Sequence, residues 1–398
     1  MGKKVLGPYD VMRYLVKIIE IKTIADVVVE RGGQEVDIRE SVDFRYREWT
    51  LFKLIAHLLY VPLYTSIIKR YFVEYYYIDL FAGSGMGYLE RGGRRIRIAG
   101  SSLIALSFAK PQFTKIYLND AKQRKIKLLM ERIKILSELP LKERKKYGFP
   151  LDEIDMERIK PYTLDANRAI EKIMSEIEER NKELLGRVGR GCHIYAFIDP
   201  EGLELEFKSL ERILTSPVRS DLMILFNSYG VAMQVHNHFN SGYSDDAVRR
   251  HLGEGYYDYL ERQARQRGKA LEQLTVDELD DILTEFYAKE IERHGYKTVT
   301  IRLSLRDGAR SPGQEREFNL IYATRSTKRN NPYMAALDYI KELVESPARY
   351  MGYGNLIDDA VYYLETGGLR GLLKDIIERP EEFFKRYSTS ARFGGPAA

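Results

Sequence analysis

The stretch Tyr75-Tyr76-Tyr77-Ile78-Asp79-Leu80-Phe81, running straight into Ala82-Gly83-Ser84-Gly85-Met86-Gly87, constrains the fold of this chain more than any other. Aromatic and β-branched residues without polar alternation describe a strand buried on both faces, and such strands belong to sheets covered by helices on either side. The glycines that follow remove Cβ atoms where backbone turns sharply and approaches a ligand. Further short apolar runs repeat the theme, each closed by a polar residue: Lys115 to Leu118 before Asn119-Asp120, Tyr162 to Leu164 before Asp165, Ile194 to Ile198 before Asp199-Pro200, and Leu222 to Phe226 before Asn227. Helix-like segments lie between them, so an α/β fold with a mostly parallel sheet and right-handed crossovers is expected. Carboxylates recur at the strand ends, the edge where open α/β sheets bind ligands.

The rest of the chain flanks that sheet. Glu48 to Arg70 reads as a helix with Leu51, Leu54, Ile55, Leu58 and Leu59 on one face, so residues 1–70 are expected as an N-terminal helical cap and 71–232 as the Rossmann-like core. Residues 233–296 read as a helical insertion, in which Thr275 and Glu278 complete a capping box. Lys297 to Leu305 and Glu317 to Thr324 alternate in strand fashion about a Gly/Pro/Ser-containing connector, which predicts an antiparallel pair at the sheet edge within 297–331. Residues 332–398 read as a C-terminal helical region.

Several function classes are disfavoured. Lys53 and His57 interrupt the apolar run Leu51 to Ile68, so no membrane span is expected, and Met1-Gly2-Lys3-Lys4 has no apolar region behind it. A cytoplasmic location is the expectation. The single cysteine, Cys192, excludes an intrachain disulfide and a multi-Cys zinc site, and His236-Asn237-His238 lacks companions to complete a site, so no metal is expected. Neither G-x-x-x-x-G-K-[ST] nor G-x-S-x-G occurs, which disfavours an ATPase and an α/β-hydrolase. The high Lys, Arg, Glu and Tyr content resembles that of hyperthermophile proteins.

The glycine turn begins from an acidic strand end and reads D-x-F-A-G-S-G-x-G over Asp79, Phe81, Ala82, Gly83, Ser84, Gly85 and Gly87. This pattern resembles motif I of S-adenosylmethionine-dependent methyltransferases, in which the glycine turn lies against the methionyl part of the cofactor. The resemblance implies that Asp120 accepts hydrogen bonds from the ribose hydroxyls, that Asp165 with Ala166 beside it meets the adenine amino group, and that Asp199-Pro200-Glu201-Gly202 occupies the catalytic motif. Taken together, Trp49 with Leu51 to Leu59, Tyr77 to Gly83, Gly100 to Leu106, Phe197 to Pro200 with Gly202-Leu203, and Leu320 to Thr324 look like the three-Cys-motif partner (TcmP) family over roughly residues 45–340. That likeness implies a class I methyltransferase sheet and a protein partner carrying the three-Cys motif.

Amino-group methyltransferases that resemble this arrangement carry D-P-P-Y or N-P-P-Y, where the Asp or Asn and the first Pro carbonyl hold an exocyclic amine and the aromatic ring stacks on the base. Here Glu201 and Gly202 replace the second Pro and the aromatic residue. Asp199 is expected to orient the amine or a water and Glu201 to take a proton, with stacking supplied by Tyr229 or Phe197. Residues 1–150 hold 28 basic against 16 acidic residues, a net +12, while the remainder is −7. Arg91, Arg94, Arg95 and Arg97 follow the glycine turn, and Lys122, Arg124, Lys125 and Lys127 follow Asp120, a density suited to phosphate contacts. The leading expectation is a methyltransferase acting on RNA or DNA, including RNA modification at a base amino group. The alternatives are a non-catalytic partner or scaffold of the same fold, and a small-molecule methyltransferase.

Overall fold

A computed structural model describes residues 8–91, 93–146, 154–304 and 317–325, together with positions 334, 337, 338, 340, 341, 344 and 362. In chain order the elements are α1 (Pro8–Gly32), β1 (Phe44–Arg45), α2 (Glu48–Ile68), β2 (Glu74–Asp79), β3 (Met86–Arg91), β4 (Arg94–Ala99), α3 (Ser101–Phe108), β5 (Lys115–Asn119), α4 (Gln123–Ser137) and α5 (Leu141–Lys146). They continue with β6 (Ile159–Tyr162), α6 (Ala166–Val188), β7 (Cys192–Ile198), α7 (Phe207–Leu214), β8 (Arg219–Phe226), α8 (Ser228–Ser241), α9 (Asp246–Leu252), α10 (Tyr256–Gln266), α11 (Val276–Arg293), β9 (Lys297–Ser304) and β10 (Glu317–Thr324). The expected helical tail beyond position 331 lies almost wholly outside the described residues.

The main sheet has seven strands in the order β6-β5-β2-β7-β8-β10-β9, and only β10 runs against the others. This is the mixed α/β, Rossmann-like fold expected from the alternating runs. From β2 the chain steps outward through β5 to β6, then returns to lay β7 on the other side of β2, so the strand order reverses there. The carboxyl ends of β2 and β7 therefore border the crevice where this class of sheet holds ligands.

The apolar runs make two cores because strand residues alternate between faces. Tyr77, Tyr195, Phe197 and Leu225 pack with α1 to α4, whereas Tyr76, Ile78, Ile194 and Ala196 pack with α6, α7, α8, α10 and α11. Trp49–Ile68 is long and apolar enough to cross a membrane by length and composition alone, yet its apolar window is 72% buried against the first face. It serves here as a core helix.

Three details add to the sequence expectation. The terminal strands form the expected antiparallel pair at the sheet edge, with β10 beside β8 and β9 outermost. Alternation predicts pairing and is silent on order. The stretch expected as an insertion forms the crossover from β8 to β9, with α8 starting at the end of β8 and α8 to α11 packed on the second face. Residues 86–99 form a β3–β4 hairpin joined by β1 in a separate three-stranded sheet. Gly87 belongs to this small sheet: an added Cβ would meet the Tyr46 ring at 2.5 Å and the Phe44 carbonyl oxygen at 2.7 Å. It allows β1 to approach β3, and it does not border the cavity described below.

One buried side chain locks the N-terminal segment to this framework. Arg132 of α4 is wholly buried, and all five of its N–H directions are used. It donates to Asp43 at 2.7 and 3.0 Å, to the Val36 carbonyl at 2.9 Å, and to the Asp37 and Ser84 carbonyls at 3.0 Å each. Removing one partner strands the other charge in the interior. Asp43→Ala is expected to lower unfolding free energy by about 3–5 kcal/mol in urea titrations. The double change Asp43→Leu with Arg132→Met should recover a large part of that loss; no recovery would mean that residues 36–43 are held by something else.

Candidate functional site

A cavity of about 270 Å³ opens at the carboxyl edge of the sheet where the strand order reverses. Its floor is the glycine turn Ala82 to Met86, its roof is Phe44 to Arg47 with Trp49 and Lys53 of α2, and its far side carries Asp120, Asp199, Pro200, Glu201 and Phe318. Phe81 also lines it. Residues from seven separate stretches of chain thus meet at one place.

The turn is shaped by Gly83 and Gly85, whose φ angles of +59° and +80° lie where a side chain would be strained. An added Cβ at Gly83 would meet no protein atom within 4 Å, whereas at Gly85 it would strike Leu129 at 2.5 Å. Gly83 therefore leaves open space, while Gly85 permits close packing onto α4. The Ala82 amide donates to the Asn119 carbonyl at 2.8 Å, and the Gly100 amide to the Gly85 carbonyl at 2.7 Å. Ser84 donates its hydroxyl to Asp43, which ties the turn to the buried Arg132.

Asn119 laces three strand ends together. Its amide donates to the Leu80 and Leu164 carbonyls at 3.1 and 3.0 Å, and its oxygen accepts from the Leu164 amide at 3.1 Å. Asp120 follows at the cavity wall, where one carboxylate oxygen accepts from the Lys122 amide at 2.8 Å. The other lies 3.7 Å from the ammonium of Lys125, a lysine with only 4% of its side chain exposed. Lys125 also reaches Glu201 at 3.3 Å and sits 3.9 Å above the Phe44 ring.

Asp199 is held from the opposite side. Lys53, likewise buried, donates to its carboxylate and lies 5.4 Å over the Trp49 ring. Trp49 in turn stacks on Phe318 with centroids 4.0 Å apart and planes 18° apart. Beneath this group, Trp49, Lys53 and His57 lie on one face of α2, four residues apart. The His57 ring bonds the Ser101 carbonyl at 3.1 Å through Nε2, so that nitrogen donates and Nδ1 accepts from the Tyr195 hydroxyl at 2.8 Å. Burial pulls the His57 pKa down to about 3, which keeps the ring neutral.

Asp79 stands outside the role expected of it. Its carboxylate is fully buried behind the turn and does not line the cavity. One oxygen accepts from Ser101 at 2.6 Å, Ser102 at 2.9 Å and Tyr77 at 3.1 Å, fixing the start of α3, while the other has no protein partner. Burial pushes its pKa up to about 6 against the pull of those hydrogen bonds, with the negative charge of Asp199 adding to the rise.

Asp165 and Ala166 also lie away from the cavity wall. Asp165 is the N-cap of α6, accepting from the Asn167 amide at 3.0 Å, and Ala166 is buried in the first turn. Neither expected stacking residue faces the cavity: Phe197 is buried with its centroid 4.5 Å from that of His57, and Tyr229 lies in α8. His236 and His238 lie in α8, and His238 bonds the Tyr243 carbonyl at 2.6 Å. Among the described residues no group of three or more His, Cys, Asp or Glu side chains is placed to hold a metal ion. Cys192 is buried, its thiol pushed up to about 12 by that burial.

The basic residues divide. Lys122, the N-cap of α4, and Arg124 and Lys127 on its first turns are exposed, but Lys125 turns inward to the carboxylates already described. Arg97 makes a two-pronged bond to Asp37, 2.6 Å on each prong, and Arg95 pairs with Glu40, so both are engaged on the hairpin. Arg94 is exposed, and the side chain of Arg91 lies outside the described residues. Arg45 and Arg47, which sequence reading passed over, are exposed at the cavity roof. Lys53 and Trp49, named in the sequence only as a break in an apolar run and as part of a family likeness, line the cavity too. The signal for them was the polar interruption of an apolar helix at a four-residue interval.

No family model matches the chain, and no curated protein matches it. Among solved structures, a Legionella pneumophila protein described as family-model DUF519 is 11% identical with a TM-score of 0.37, covering 74% of this chain and 93% of its own. A conserved hypothetical protein of Streptococcus pyogenes is 14% identical with a TM-score of 0.22, covering 42% of this chain and 76% of its own.

The Asp79 environment makes a pH prediction. A carboxyl whose folded pKa is raised above 3.8 contributes its stabilisation below that value and loses it as pH rises through about 6. Asp79→Asn removes this titration. Measured by urea unfolding, the stability of the variant relative to the parent is expected to rise between pH 4 and 7, by up to about 3 kcal/mol, and then to level. A difference independent of pH would mean that Asp79 titrates normally.

Proposed function

We propose that the chain is an S-adenosylmethionine-dependent methyltransferase acting on nucleic acid, related to the three-Cys-motif partner proteins. The observation that carries this reading is the convergence of the Gly83-Ser84-Gly85 turn, Asp120 and Asp199-Pro200 on one cavity at the point where the strand order reverses. The residues fit the cofactor on structural grounds: Gly83 leaves space that a Cβ would project into, and Asp120 presents a carboxylate at the wall.

When bound, S-adenosylmethionine supplies a methyl group already activated on a sulfonium, so the protein's task is positioning and proton management. In this proposal the glycine turn and Asp120 hold the cofactor, and Asp199, steadied by Lys53, orients the accepting nitrogen. Glu201, 53% exposed at the cavity edge, provides a carboxylate through which a proton leaves to solvent. Lys122, Arg124 and Lys127 offer exposed positive charge for a phosphate backbone.

Calorimetric titration with S-adenosylmethionine tests the cofactor role: binding is expected for the parent and at least about 10-fold weaker for Asp120→Ala, by loss of charge-assisted hydrogen bonds. No binding by the parent would sink the reading. A labelled-methyl assay over single-stranded RNA and DNA then tests Asp199→Ala, which is expected to keep cofactor affinity while transfer falls by about 100-fold or more. Equal loss of both would reassign Asp199 to cofactor binding.

A second reading is favoured by one feature: Asp199 and Glu201 each already carry a lysine partner. A non-catalytic partner protein keeping the fold for ligand binding would look the same. Cofactor binding without transfer to any RNA or DNA pool would favour that reading.

A further inference from the structure

We infer that the stacked pair Trp49 and Phe318 is the surface on which the ring of an unpaired nucleobase packs beside Asp199, doing the work of the aromatic residue missing after Asp199-Pro200. This deepens the proposed function and rests on reading the cavity as the transfer site. Three observations carry it.

First, both rings line the cavity and both remain half-buried rather than enclosed. Their planes are nearly parallel and the rings cover one another, so the pair forms one stacked apolar wall that offers an outer ring face to a cavity also lined by Phe44, Phe81 and Leu225. Second, the topology delivers Phe318 there. Because β10 runs against its neighbours, Asn319 pairs with Phe226 and Leu320 with Leu225, so the beginning of β10 reaches the carboxyl edge of the sheet. Third, Lys53 joins the wall to the acidic group, lying over Trp49 while its ammonium holds Asp199. A planar ring on the wall would then present its edge to the Asp199 carboxylate, an acceptor for an exocyclic N–H.

Stacking of this kind favours any base, because every base has a π-face. Choice among bases then falls to the acceptor at the edge, and bases with an exocyclic amine are preferred over uracil. A base in a duplex cannot reach the wall, so the strand must be single or the base extruded.

Trp49 is the only tryptophan in the chain, so its fluorescence reports on the wall alone. The experiment titrates the full-length protein with short single-stranded oligoadenylate, oligouridylate and an abasic strand of equal length, with and without saturating S-adenosylhomocysteine. Oligoadenylate is expected to quench Trp49 emission and the abasic strand to leave it unchanged. Phe318→Leu is expected to weaken oligoadenylate binding, read by anisotropy of a labelled strand, by about 10-fold, whereas Phe318→Tyr restores it. Both variants should bind S-adenosylhomocysteine as the parent does and melt at a similar temperature.

Oligoadenylate and the abasic strand binding alike, with unaltered Trp49 emission, would overturn the inference whatever the cofactor does. Retained quenching and Phe318 dependence without any S-adenosylhomocysteine binding would instead overturn the cofactor reading and leave the wall as a base-binding surface. Equal quenching by oligouridylate would uphold the wall and remove Asp199 as the selecting acceptor.

Discussion

The buried guanidinium of Arg132 is the interaction on which the site depends. Its five N–H groups reach Asp43, two carbonyls of the segment before it, and the Ser84 carbonyl of the glycine turn. A charge this deep is tolerable only with every donor satisfied and a counter-ion in place. The same contacts therefore specify where residues 36–43 run. Once Asp43 is fixed, Phe44 to Arg47 pass over the turn as the cavity roof, and β1 pairs with β3 through the gap that Gly87 leaves. Roof and floor are thus positioned by one side chain from α4.

A second polar system runs beneath the cavity between α2 and the sheet. His57 bonds Tyr195, Tyr60 donates to Asp221 at 2.7 Å, and Tyr64 meets His193 at 2.9 Å, so a helix that is apolar on average carries a seam of specific hydrogen bonds. Such a seam fixes the rotation and slide of the helix more narrowly than leucine packing would, since an offset leaves buried polar atoms unpaired. The rotation matters because Trp49 and Lys53 are on that helix. Burial holds His57 and His193 neutral, and both pKa values are pulled down to about 3, so the seam keeps its pattern across the neutral range.

Legibility in the sequence followed what each pattern encodes. Unbroken apolar runs encode burial on both faces, and they located β2, β5, β7 and β8 and the carboxyl-edge position of Asp120 and Asp199, whereas β6 is Ile159–Tyr162 and meets the expected run Tyr162 to Leu164 only at Tyr162. Alternation in Lys297 to Leu305 and Glu317 to Thr324 encodes pairing but not the order of the two strands, so the place of β10 beside β8 and the arrival of Phe318 at the site were hidden. An aspartate at a strand end has the same identity whether it caps a helix, anchors a turn or meets a ligand. Asp165 caps, Asp79 anchors and Asp120 lines the cavity, a division made by geometry. Lys53 and His57 were visible as interruptions of an apolar run. Their four-residue spacing after Trp49 also encodes a shared face, which becomes meaningful only once the helix is known to lie across the sheet.

The charge pattern points the same way when sorted by what each cation touches. Arg132, Lys53 and Lys125 are interior, and Arg95 and Arg97 are paired on the hairpin, so part of the N-terminal positive excess serves the fold itself. What remains exposed beside the cavity is Arg47 at the roof, Arg45 there in an ion pair with Glu90 at 2.7 Å, and Lys122, Arg124 and Lys127 at the start of α4. In the proposed reading, cations at the mouth and the aromatic pair inside would divide the labour of recognition: long-range attraction would draw a polyanion to the opening, and contact with a ring would hold it there. A ligand with only one of the two features would use half of what the cavity offers.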